Sequence, residues 1–295
     1  MYINCNGRLI DLSTPKVMGI LNCTPDSFFD GGKYKDENTL LAQAEKMLTD
    51  GATFIDIGAY SSKPNAAFVT EQEEIERIVP VVELVLQQFP GTLISIDTFR
   101  AKVAKAAIKA GAAIINDIAA GLLDDTMLET VGKYKVPYIM MHMRGNPQTM
   151  VTLTQYDDIM HEMLFYFSER IAAARKQGIE DIIIDPGFGF AKTLEQNYEV
   201  MSKLELFSQI TGLPLLSGIS RKSMIYKLLG TTPQEALNGT TVLNTVSLLK
   251  GAKILRVHDV KEAIEAVRIV GQLGVTQSFA KEAQSLTMKN TIIVL

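Results

Sequence analysis

Eight short apolar runs, several rich in β-branched residues, punctuate the chain: VMGILN (17–22), TFIDIG (53–58), LISID (93–97), AAIIN (112–116), PYIMMH (137–142), DIIID (181–185), LPLLSGI (213–219) and KILRV (253–257). Between them the apolar residues take a helical spacing. Leu40, Leu41, Ala44, Met47 and Leu48, for example, share one face and are followed by Gly51 as a helix stop. This alternation predicts parallel strands separated by helices. Strands that are apolar throughout predict burial on both faces, as helix-covered parallel sheets require. Thr70 with Glu73 and Thr193 with Gln196 match capping boxes, and Thr232-Pro233 with Glu235 predicts a third helix start with proline in its first turn. Pro80 predicts a kink in its helix. Eight such units without a Pro/Gly/Ser-rich linker favour an α/β protein with a (β/α)8 TIM barrel in a single domain over an open doubly wound sheet. The barrel is expected to span 1–275, followed by a C-terminal tail, free to be mobile, at 276–295.

Composition narrows the function. A length of 295 residues suits one barrel, and 47% hydrophobic and 21% charged residues with a net charge of −4 describe a soluble globular protein. No Lys/Arg-rich run points to nucleic acid, so an anionic ligand must be met by a local site. Cys5 and Cys23 cannot build a disulfide framework or a CxxC metal site, which fits a reducing cytoplasm. The N-terminus lacks the pattern of a signal peptide, and no apolar run is long enough to span a membrane.

In such a barrel the catalytic groups belong at the C-terminal strand ends, because the βα loops gather there over one mouth. The polar residues fall in that place. Asn22 ends the first run, Ser61 and Ser62 follow the second, and Asp97 with Thr98 ends the third. Asn116 and Asp117 end the fourth, Met141 and His142 the fifth, and Asp185 the sixth. Ser220, Arg221 and Lys222 end the seventh, and Arg256 and His258 the eighth. Any one of these alone is as readily a cap or turn former; all eight together predict a ligand mouth. Carboxylates such as Asp97 and Asp185 accept from adjacent ring N–H and amine groups, Asn116 offers a donor and an acceptor, and Lys222 donates. That inventory suits a 2-amino-4-oxo-pyrimidine edge, with Arg256 able to stack on the ring or bind phosphate. Ser220, Arg256 and His258 occupy the usual phosphate quarter of the fold. No Ser/His/Asp or Cys/His set is apparent, DPGFGF (185–190) lacks nucleotide-loop spacing, His161 reads as a helix-surface residue, and the thirteen methionines read mostly as core.

Seven stretches resemble the dihydropteroate synthase family in order and placement: GILNCTPDSFFDGG (19–32), SIDT (95–98), IINDI (114–118), MMHM (140–143), DPGFGF (185–190), SRKS (220–223) and RVHD (256–259). The resemblance covers residues 16 to about 270. It implies condensation of 6-hydroxymethyl-7,8-dihydropterin pyrophosphate with 4-aminobenzoate, through ionisation of the pyrophosphate and attack of the amine on a pterin cation. It further implies that Asp97, Asn116, Met141, Asp185, Lys222 and Arg256 bind the pterin, and that Asp97, Lys222 and Arg256 carry the chemistry. Asn22, Ser62, Lys63, Arg256 and His258 would hold the pyrophosphate, with Mg2+ at Asn22. Ser62, Lys63, Pro64, Phe190, Ser220 and Lys222 would line the 4-aminobenzoate pocket. Loops at 24–32 and 59–67 would close over the ligands, with the pterin binding first. A homodimer through the late outer helices is implied as well.

The chain departs from the family after the second run. Where the family reads Gly-Gly-Glu-Ser-Thr-Arg-Pro-Gly, this chain has Gly58-Ala59-Tyr60-Ser61-Ser62-Lys63-Pro64-Asn65. Lys63 puts a point charge where a planar fork could bind phosphate bidentately. Weakened sulfonamide binding, neutral drift and an altered second substrate each account for the change. Two rival functions remain: a methyltetrahydrofolate:corrinoid-type methyltransferase, and a pterin-binding barrel without catalysis. The pyrophosphate-facing motifs argue against both.

Overall fold

Each predicted run forms a strand because its β-branched residues suit a pleated surface buried on both sides. The computed structural model describes residues 1–23, 33–59 and 69–274. An N-terminal hairpin, β1 (Tyr2–Cys5) and β2 (Arg8–Asp11), precedes the barrel strands β3 (Lys16–Asn22), β4 (Phe54–Gly58), β5 (Leu93–Asp97), β6 (Ile114–Asp117), β7 (Tyr138–Met141), β8 (Ile182–Asp185), β9 (Leu216–Ser217) and β10 (Ile254–Val257). All barrel pairings are parallel, in the order β8-β7-β6-β5-β4-β3-β10-β9. A parallel bridge between Ile184 and Leu215 joins the two ends and closes the barrel.

Around it lie α1 (Lys33–Thr49), α2 (Glu71–Gln88), α3 (Ala101–Lys109), α4 (Met127–Tyr134), α5 (Ile159–Lys176), α6 (Leu194–Ser202), α7 (Glu205–Thr211), α8 (Ser223–Leu229), α9 (Leu237–Leu249) and α10 (260–274). The capping boxes at Thr70 and Thr193 form as expected. The third does not start a helix: Glu235 accepts from the Thr231 and Thr232 hydroxyls in a turn, and α9 begins two residues later at Leu237. α2 runs unbroken through Pro80.

Strand alternation sorts the side chains. Ile55, Ile57, Ile94, Ile96, Ile115 and Ile184 face the helices in the main core. Met18, Phe54, Leu93, Ile114, Ile139, Ile183, Leu216 and Ile254 point inward at the N-terminal end of the barrel, where Ile3, Cys5, Ile10 and Leu12 of the hairpin join them in a separate apolar cluster. The hairpin is therefore a plug. Its two-residue turn uses Asn6 (φ 53°) and Gly7 (φ 80°), the positive-φ pair of a type I′ turn. The Asn4 amide donates to Asp181 and the Asn6 side chain to the Gly111 carbonyl, tying the plug to loops at the barrel base.

Candidate active site

On five of the eight strands the same inward-facing row turns polar two residues beyond the apolar plug. Phe54 gives way to Asp56, Leu93 to Ser95 and then Asp97, Ile114 to Asn116, Ile183 to Asp185, and Ile254 to Arg256. The structure brings these groups together over one mouth. Arg256 Nε donates to Asp56 Oδ2 at 2.6 Å, Arg256 Nη2 donates to Asp97 Oδ2 at 2.7 Å, and Asn116 Nδ2 donates to Asp56 Oδ2 at 3.1 Å. Asp56 is fully buried and absent from the sequence-derived set; it is the floor on which Arg256 and Asn116 sit. Its Oδ1, and Ser95 Oγ on the neighbouring strand at the paired register, have no hydrogen-bond partner among the described residues.

Protonation follows from burial. Desolvation raises the Asp97 pKa to about 7 even though Arg256 pulls it down, with Asp56 adding to the rise. Asp185 is raised by desolvation too, while Lys222 and the Gly187 N–H act to hold it ionised. Desolvation lowers Lys222 to about 8, opposed by the Asp185 charge. At both carboxylates the neighbouring cations favour the ionised form, but burial outweighs them.

The turn after β8 presents the second side of the mouth. The Gly187 N–H donates to Asp185 Oδ1 at 2.8 Å, Lys222 Nζ donates to the Phe188 carbonyl, and Lys222 Nζ stands 4.5 Å above the Phe190 ring centroid. Gly187 needs its positive φ (68°), and a Cβ there would lie 2.4 Å from the His142 carbonyl. Met141 packs beside this turn, buried with Ile118 and Met143, and the partly buried Phe190 lies against them.

Ser220 and His258 meet at the rim: Ser220 Oγ and His258 Nδ1 are 3.0 Å apart, and the His258 N–H donates to Ser220 Oγ. Partial desolvation and the nearby Arg256 charge lower the His258 pKa below the ordinary value, so the ring is neutral at pH 7. Between the two motifs Arg221 grips Asp259 bidentately at 2.8 Å and donates to the Pro233 and Gln234 carbonyls. Arg221, itself at φ 55°, thus locks Ser220 and Lys222 to the end of β10. Asn22 lies exposed at the end of β3, paired in register with Gly58.

Three strand-end residues point away from the mouth. Thr98 donates to Glu74 on α2, which also pairs with Arg100 at 2.6 Å. Asp117 accepts from the Tyr138 hydroxyl and the Ala119 and Gly121 amides, and its burial pushes its pKa up to about 6. His142 packs outward against Tyr166 of α5 and contacts Lys192. Ser61, Ser62, Lys63, Pro64 and the rest of 60–68, the loop at 24–32, and the tail from 275 onward lie outside the described residues. The thiols of Cys5 and Cys23 are pushed up to about 12 by burial, so neither is an activated nucleophile.

The chain matches the model of the pterin binding enzyme family over residues 18–258. The dihydropteroate synthase of Escherichia coli K12 is 45% identical over 272 residues, which is 92% of this chain and 95% of that protein. The chain belongs to the dihydropteroate synthase family. A Yersinia pestis dihydropteroate synthase solved with a sulfonamide drug superposes with a TM-score of 0.87 at 42% identity, covering 93% of this chain and all of that one. A Xanthomonas albilineans dihydropteroate synthase solved with 4-aminobenzoic acid gives a TM-score of 0.85 at 36% identity, covering 92% and 98%. These family members share the closed parallel barrel. Among the described residues no helix is long and apolar enough to cross a membrane.

Proposed function

We infer that the protein condenses 6-hydroxymethyl-7,8-dihydropterin pyrophosphate with 4-aminobenzoate to 7,8-dihydropteroate and pyrophosphate, the dihydropteroate synthase reaction of folate biosynthesis. The observation that carries this reading is Arg256 held between Asp56 and Asp97 at the barrel mouth, with Asn116 on the same Asp56 oxygen. A planar cation fixed by two acids is pre-set to lie against a ring or a phosphate instead of sampling rotamers.

In this reading Asp185, Asn116 and Lys222 read the amino-oxo edge of the pterin, and Met141 and Arg256 cover its faces. The bond to pyrophosphate breaks and its electron pair leaves with the phosphate oxygen, toward Asn22, Arg256, Ser220 and His258. The negative charge of Asp97 stabilises the pterin cation left behind, and the amine lone pair closes the new C–N bond as a proton departs. Phe190, Lys222 and Ser220, with Ser62, Lys63 and Pro64 from the loop at 60–68, supply the pocket for 4-aminobenzoate.

Magnesium at Asn22 fits the donor set. Asn22 offers one exposed carboxamide oxygen, and this ion keeps most of its waters and binds through substrate phosphates. When bound it would offset charge growing on the leaving group. A homodimer through the late helices is favoured by Leu228, Leu229, Val242, Leu249, Ile269 and Leu273, apolar and exposed on α8, α9 and α10. Two free, buried cysteines suit a cytoplasmic setting.

Pyrophosphate release measured with each substrate alone and with both tests the reaction. Release only when both are present is expected; none with both, or methyl transfer from methyltetrahydrofolate, would overturn it.

A further inference from the structure

Lys192 belongs to none of the motifs that carry the family resemblance, yet its surroundings are unusual. It is 8% exposed, and a lysine so buried normally has a carboxylate partner. Here the hydrogen-bond partners are all uncharged. Nζ donates to the Gly187 carbonyl at 3.0 Å and the Phe190 carbonyl at 3.1 Å, and stands 3.1 Å from His142 Nδ1. An ammonium has three N–H donors and finds three acceptors here, provided His142 Nδ1 carries no proton. Burial first, and then the Lys192 charge, hold the His142 pKa well below its ordinary value, so the ring is neutral, and its Nε2–H tautomer leaves Nδ1 as the third acceptor.

The two carbonyls are the two ends of the turn that faces the reaction. Within it, Phe188 gives its carbonyl to Lys222 and Phe190 puts its ring under the Lys222 ammonium. The turn has a second tie, the Gly189 N–H to Asn197 Oδ1 at 2.7 Å. Ala191, buried between Phe190 and Lys192, is held at φ 47°, a left-handed conformation that a residue with a Cβ resists and keeps only where its neighbours over-determine it. His142 roots the assembly, since its backbone N–H bonds to the Asp185 carbonyl at the end of β8. A single side chain thereby clamps both ends of the turn onto the junction of β7 and β8.

We propose that Lys192, seated on His142, is a positioning residue that sets the Phe188 carbonyl and Phe190 ring for Lys222, and so governs capture and attack of the second substrate, the aromatic amine. The proposal rests on the reaction inferred above. It weighs on the second substrate more than on the first, because the pterin edge shares only Lys222 and the Gly187–Asp185 contact with the clamped turn. Asp97, Asn116 and Asp185 are fixed by the strands that carry them, whereas Phe190 and the acceptor of Lys222 are fixed by the clamp.

Lys192→Met keeps the stem and removes all three donors. Its KM for 4-aminobenzoate is expected to rise about tenfold with a fall in kcat, since one buried charged hydrogen-bond set is lost, while the Kd for the pterin pyrophosphate, which feels the clamp only through Lys222 and the Gly187–Asp185 contact, rises several-fold less. Lys192→Arg, which keeps donors, should recover part of the loss. If Lys192→Met does not fold, His142→Leu removes one acceptor and should show the same split at smaller size. Unchanged kinetics in the folded variant, or an equal loss of pterin affinity, would overturn the proposal. A wild-type protein that releases no pyrophosphate would instead strike the reaction itself.

Discussion

The two ends of the barrel are built from the same eight strands and solve opposite problems. At the N-terminal end the inward row is apolar, and a hairpin closes it with Ile3, Cys5, Ile10 and Leu12. At the C-terminal end the inward row carries Asp56, Asp97, Asn116, Asp185 and Arg256, and among the described residues no hairpin covers it. The plug end stabilises by removing apolar area from water. The mouth spends stability to hold charges in place, as the raised pKa values of Asp97 and Asp185 and the lowered one of Lys222 register. A few residues along each strand separate what holds the fold from what performs chemistry.

The contrast can be broken most forcefully at Arg256. Arg256→Gln should cut kcat/KM by about a thousandfold, as loss of a charge-stabilising donor does. It should also lower stability, because Asp56 is then a buried charge without its cation. Steady-state kinetics and a denaturant titration on one preparation read both. Leu12→Ala at the plug should do the converse: it should destabilise by about 2–5 kcal/mol with KM for both substrates unchanged. A plug variant that shifts KM would show that the ends are coupled. Asn22→Ala should lower turnover about tenfold or more and weaken its magnesium dependence while leaving pterin binding intact. Unchanged kinetics would remove the metal from Asn22.

Smaller effects sharpen the picture. The folded-state pKa of Lys192 is lowered to about 7 by burial, while the unfolded chain holds that proton to a pH of about 10.4. Unfolding therefore takes up protons across that window, and stability should rise with pH from about 7 toward 10. The Tm difference between wild type and Lys192→Met, followed over that range, should move in wild type's favour. A constant difference would mean that Lys192 does not titrate there. The Lys63→Arg, Asn65→Gly double variant, which restores the family residue at two of the five altered positions, should bind sulfamethoxazole several-fold more tightly if those substitutions weaken sulfonamide binding. Equal inhibition constants would leave drift or an altered second substrate.

Much of this was legible in the chain. The eight runs are the eight barrel strands, and Asn116, Asp97, Asp185, Lys222 and Arg256 do converge. What escaped did so for physical reasons. A strand buried on both faces hides its period of two, so Asp56 in TFIDIG reads as a lone acid in an apolar run until Phe54 is seen facing the plug. The same parity explains Asp117, which follows Asn116 and therefore points to the helix side, toward Tyr138 and the turn at 119–121. Asn6-Gly7 is a strong hairpin signal, but the flanking strands are four residues each and carry little pattern. Lys192 has no local signal, because its three partners come from a turn and a strand end that only the fold brings together.

In the proposed reaction the inward row of the mouth reads the pterin by itself, before the second substrate arrives. The direct test is the Kd of 6-hydroxymethyl-7,8-dihydropterin pyrophosphate, measured calorimetrically without 4-aminobenzoate, for wild type and Asp185→Asn. Loss of a buried charged acceptor predicts affinity weakened by about ten- to a hundredfold in the variant, with the fold intact. Equal dissociation constants would contradict the claim.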